Sequence, residues 1–126
     1  MFIWGSEPQI HFLAHRRAAT RYAFTHPLTA RGPRAMTRQH ETVGELKREP
    51  PNWILTIDNP MSVGIEPGSA SYLFDSLRSM VRREFEPVLQ VYLRPNGAEY
   101  VSAQHIRFLD HDPSQAILSK RRAQQR

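Results

Sequence analysis

Phe2-Ile3-Trp4-Gly5-Ser6-Glu7-Pro8-Gln9-Ile10-His11-Phe12-Leu13-Ala14 is the stretch that decides the fold class. Three apolar residues run into a glycine, and apolar side chains then recur at Ile10, Leu13 and Ala14. That spacing predicts a strand, a tight turn and a helix, the opening of a βα unit. Ser6 with Gln9 three residues on reads as a capping box, and proline suits a first helical turn.

Outward from this unit the same grammar repeats. Arg21-Tyr22-Ala23-Phe24-Thr25 alternates as a short second strand, and the prolines and glycine between Pro27 and Ala35 predict a loop. Thr37 is placed to cap a helix with a thin apolar face at Val43 and Leu46, which Pro50-Pro51 ends. Gly44 weakens that helix by about 1 kcal/mol relative to alanine. Trp53-Ile54-Leu55-Thr56-Ile57 is nearly continuous in apolar residues, as a central strand covered on both faces would be. Residues 71–85 carry the stripe Phe74, Leu77, Val81 and Phe85 of a strong helix. A strand from Val88 to Leu93, a turn at Asn96-Gly97 and a return strand from Glu99 to Leu109 predict a β-hairpin. Asp112, Pro113 and Gln115 then have the pattern of a capped last helix. The expectation is a single α/β domain with a mixed, mainly parallel sheet flanked by helices and a C-terminal β-hairpin. Residues 1–112 form that domain, and 113–126 a short helix with a basic tail.

The chain's 126 residues suit one core and are too few for two. Without cysteine it has no disulfide framework, thiolate metal site or cysteine nucleophile. The formal net charge of +5 invites a polyanion partner. Yet the charge sits in two clusters, Arg16, Arg17, Arg21, Arg31 and Arg34, and Lys120, Arg121, Arg122 and Arg126. Between them Glu41, Glu45 and Glu49 balance Arg38, Lys47 and Arg48. No apolar run reaches the roughly 18 residues of a membrane span, and the first residues lack the pattern of a signal peptide. The sequence opens inside a strand, which is expected of a piece cut from a longer protein.

Each candidate site competes with a plainer reading. His11 and His15 lie four apart, a metal-sharing spacing, but Phe12-Leu13-Ala14 between them supplies no glutamate, and no third ligand is suggested. Gly5-Ser6 could offer N–H groups to an anion, which Glu7 would repel. Asp110-His111-Asp112 could orient a base, although Asp112 already serves as a cap. Asp58 ends the central strand, where ligands of α/β sheets bind, but has no partner in sequence. Ser6, Ser62 and Ser71 sit in no nucleophile elbow. No catalytic set, metal site or cofactor site assembles. A small enzyme made from Asp58, His111 and Asp112 by folding is one remaining reading, and a free-standing basic protein binding nucleic acid or another polyanion is a second.

The third comes from a resemblance. Phe2 to Ala14, followed by Arg16-Arg17-Ala18-Ala19-Thr20-Arg21-Tyr22 and Thr25-His26-Pro27-Leu28, resembles the segment after the last membrane helix of bacterial family 39-like glycosyltransferases, relatives of protein mannosyltransferases and of the lipid A aminoarabinose transferase. Pro50-Pro51-Asn52-Trp53-Ile54 resembles the entry to that family's next strand, and Ser71-Tyr72-Leu73-Phe74 with Leu77 fits the pattern after it. The resemblance covers residues 2–94. It implies a soluble module on the periplasmic, extracytoplasmic face of the inner membrane. Its partners would be the membrane-embedded part of the parent protein and a polyprenyl-phosphate sugar or the acceptor. Members hold their catalytic acids in loops between membrane helices, which this chain lacks, so on its own it is expected not to be an enzyme. Within that picture Arg16, Arg17, Arg21 and Tyr22, with Asp58, are the candidate ligand-binding residues, since arginine forks pair with phosphate. The plainer reading of Arg21 and Tyr22 is that they pin the first helix to the sheet.

Overall fold

The computed structural model describes residues 1–65, 68, 71–105 and 115–123. Its elements run β1 (Phe2–Trp4), α1 (Gln9–Leu13), α2 (His26–Thr29), α3 (Pro33–Arg48), β2 (Trp53–Asp58), α4 (Pro60–Val63), α5 (Tyr72–Glu84), β3 (Phe85–Arg94), β4 (Gly97–Ser102), a 3-10 turn at Ala103–His105 and β5 (Gln115–Arg121). The five strands form one sheet in the order β1-β2-β5-β3-β4.

Among the described residues, only β1 and β2 pair in parallel. β5 pairs antiparallel with both β2 and β3, and β3 pairs antiparallel with β4. The mixed α/β domain expected from the sequence is present, but the mainly parallel sheet is corrected to a mostly antiparallel one. The cause is topological: β2 and β3 share a direction, and the last strand inserts between them. That insertion also corrects the expected C-terminal helix, because Gln115 opens a strand.

Two other expectations change. Residues 21–25 form no strand; the segment runs along the free edge of β1, tied by Ala19 N–H to the Met1 carbonyl and Thr25 N–H to the Gly5 carbonyl, at 2.9 and 3.1 Å. It covers a sheet edge that would otherwise present unpaired backbone groups. The stretch read as loop holds α2 and the start of α3, which begins at Pro33 after Gly32, so Thr37 lies inside the helix and caps nothing. Proline at the first helical position loses an N–H that has no partner there in any case.

Helices α3 and α5 cover one face of the sheet. Phe2, Trp4 and Ile54 from that face pack with Val43 and Leu46 of α3 and with Leu73, Leu77 and Met80 of α5. The Trp4 and Phe74 rings meet at 5.8 Å. Pro87 lies in β3 beside the bulge between Pro87 and Leu89, where a missing N–H is tolerated. The β3–β4 turn is Pro95-Asn96, and Gly97 carries the positive φ of 131°.

Candidate functional site

The carboxyl ends of the two parallel strands meet at one place, and the chain there is closely tied. Ser62, on α4, donates its hydroxyl to the Glu7 carboxylate at 2.7 Å and accepts the Ser6 N–H at 3.1 Å. Thr25 and Thr29 both direct their hydroxyls to the Val63 carbonyl. A Cβ on Gly5 would lie 2.5 Å from the Glu7 carboxylate, 2.8 Å from Ile57 and 3.0 Å from Ser62, so any larger residue would displace these side chains. The Gly5-Ser6 turn is therefore filled by the chain's own carboxylate, the group an incoming anion would have to displace. Ser6 makes no capping box: the helix starts at Gln9 after Pro8, and the Ser6 hydroxyl is buried without a hydrogen-bond partner.

His11 and His15 do not share a helix face. Helix α1 ends at Leu13, and His15 has φ 50°, outside helical geometry. The Arg16 N–H bonds the His11 carbonyl at 2.9 Å and the His15 N–H bonds the Phe12 carbonyl at 3.1 Å, a Schellman closure with histidine in the usual glycine position. Burial of the His11 ring pushes its pKa below the ordinary value, and the nearby terminal ammonium adds to the effect. Among the described residues, no three histidines or carboxylates gather as a metal site.

Arg21 and Tyr22 converge on α3. The Arg21 guanidinium and its backbone N–H bind the two oxygens of Glu45 at 2.6 and 3.0 Å, and the Tyr22 hydroxyl donates to Glu41 at 3.3 Å. Both residues thus fasten the β1 edge segment to α3 rather than the first helix to the sheet. Hydrogen bonding to Glu45 raises the Arg21 pKa. Partial burial opposes ionisation of Glu45, but the Arg21 N–H and guanidinium together outweigh it and hold the Glu45 pKa below its ordinary value. Arg21 also lines a shallow groove of about 490 Å³ with Thr20, Glu45, Arg48 and Glu49. Arg16 and Arg17 are exposed, and Arg17 contributes its carbonyl to the Met1 ammonium at 3.0 Å.

Asp58 belongs to a different group. It accepts the Gln115 side-chain N–H at 3.0 Å, and Gln115 accepts that of Gln90 at 2.6 Å, a polar relay across β2, β5 and β3 beneath the helical face. Arg21 and Tyr22 lie on the β1 edge and Asp58 faces β5, so these candidates form two groups. Asp110, His111 and Asp112 lie outside the described residues. The Ser62–Glu7 contact and the glutamine relay went unseen in the sequence, since polar pairs 55 and 25 residues apart leave no local pattern.

Comparison of the chain with protein-family models, curated proteins and solved structures gives no match.

Proposed function

We propose that this chain is a non-catalytic, extracytoplasmic module of a bacterial membrane glycosyltransferase that uses a polyprenyl-phosphate sugar, and that it positions the donor or the acceptor. The observation that carries the reading is the union of two blocks behind the family resemblance. The Thr25 N–H binds the Gly5 carbonyl, and the Glu7, Ile57 and Ser62 side chains close around Gly5. The hydrogen bonds at this junction are internal to the chain, which supports an architectural role for the block. No described helix is long and apolar enough to cross a membrane. Arg16 and Arg17 are the exposed arginines that would meet a phosphate headgroup.

The polyanion-binding alternative is weaker because Glu41 and Glu45 neutralise Arg21. It requires retention on nucleic acid that falls steeply with salt. A transfer assay separates the readings. The purified chain should move no sugar from a polyprenyl-phosphate donor, and deleting the segment from its parent protein should lower transfer. Turnover by the chain alone would overturn the proposal.

A further inference from the structure

The sheet has a second face, which the described residues cover at β1, where Ile3 is 2% exposed, and leave open from β2 to β4. Strand alternation places Trp53, Leu55 and Ile57 of β2, Ala116 and Leu118 of β5, Leu89, Val91 and Leu93 of β3, and Ala98 and Tyr100 of β4 on the side away from α3 and α5. None of these is buried; on the helical side Ile54, Gln90, Gln115 and Ser119 are buried and Thr56, Ile117 and Tyr92 are half-buried. Tyr100 is 69% exposed and Leu93 66%. A contiguous apolar face of this kind marks an interaction surface. Its charges are Glu86 and Lys120, cross-strand partners at one end. A face with one acid and one base and no basic excess does not suit an anionic lipid surface or nucleic acid.

We propose that this face binds a second copy of the same chain, sheet against sheet. The argument is self-complementarity. In aligned face-to-face packing, a two-fold axis parallel to the strands can pass between β5 and β3. Rotation about it lays each β5 over the partner's β3 and each β2 over the partner's β4. Because Glu86 and Lys120 share one register level, the rotation sets Lys120 of one copy over Glu86 of the other. Of the levels that follow, Leu118 lies over Leu89, Ala116 over Val91 and Ile57 over Tyr100, while Leu55 meets the polar Ser102. Four strands about 4.8 Å apart and six residues long give a footprint near 400 Å² per copy, or about 800 Å² in all, below the roughly 1,000 Å² that a stable specific interface clears. The dimer is therefore weak and concentration-dependent.

Sedimentation equilibrium over two decades of concentration tests this. Wild type should pass from monomer to dimer. Lys120→Glu and Glu86→Lys should each weaken the dimer about tenfold by opposing like charges, and the double swap should restore it. Both residues are exposed, so each reversal costs the fold little beyond the like-charge pair it makes with its own cross-strand partner, and unfolding midpoints of the single variants check this. The chain has no cysteine, so an Ile57→Cys, Tyr100→Cys variant gives a clean second readout. Within one copy these positions are three strands apart, too far for a disulfide, so oxidation should link two copies. A strictly monomeric wild type, a dimer indifferent to both charge reversals, or binding to lipid vesicles without self-association would overturn the proposal.

Discussion

Gln39 on α3 caps the start of α5: its Oε1 accepts the Leu73 N–H at 3.0 Å while its Nε2 donates to the Leu28 carbonyl at 2.7 Å. The first N–H groups of a helix have no partner within it, and here a buried amide from a neighbouring helix supplies one. One side chain therefore ties α2, α3 and α5 together inside the core. Gln39→Leu keeps the volume and leaves both backbone groups unpaired. It should cost about 2 to 4 kcal/mol. In urea the unfolding midpoint should fall with an unchanged slope.

Gly5→Ala tests the junction of the parallel strands. The added methyl meets the Glu7 carboxylate, Ile57 and Ser62 at once. The carboxylate can swing away, but only by giving up its Ser62 hydrogen bond. A loss of about 1 to 3 kcal/mol is expected, measured by thermal or urea unfolding.

Gly44 stands at the opposite extreme. It is exposed in the middle of α3, and a Cβ there would meet nothing within 4 Å. Gly44→Ala should therefore stabilise the protein by up to about 1 kcal/mol. His15→Gly should also stabilise, by about 0.5 kcal/mol, since it removes a side chain from a left-handed position. Failure of both to raise the unfolding midpoint would contradict the helix boundaries described above.

How much of this was legible in the sequence follows from which face each apolar residue takes. The helix stripe at Leu77 points to a core and was readable as such. The continuous apolar run of β2 was read as a strand covered on both faces, but only Ile54 of it is buried, because helices pack on one side of it alone. β5 was not. Its buried positions are Gln115 and Ser119, Ile117 between them is half-buried on the same side, and Ala116 and Leu118 face the open side, so apolar and polar residues do not separate by face. Asp112-Pro113-Ser114-Gln115 carries a helix-start signature, which hid the strand further. Missing β5 entailed missing the antiparallel sheet, because that strand separates β2 from β3. Of the candidate site, the Arg21 and Tyr22 anchor could be weighed from sequence, but its acidic partners on α3 could not, being 19 to 24 residues away.

Stability should rise with pH through two windows. Glu45 titrates below its ordinary value in the fold, so its contribution is complete above the unfolded carboxylate pKa of about 4.3 and is lost as pH falls through the lower folded value. The His11 pKa is also lowered, which favours the neutral ring in the fold. Its contribution is complete above about 6.5 and declines as pH drops toward the folded value. Urea unfolding from pH 3 to 8 checks both. Glu45→Gln should remove the lower window, and His11→Phe the upper.

The DNA immediately upstream of codon 1 tests the functional proposal most directly. The account predicts that the reading frame continues upstream into several apolar segments, each about 20 residues long, as the membrane part of a glycosyltransferase requires. An in-frame stop codon with a ribosome-binding site directly before Met1 would contradict it.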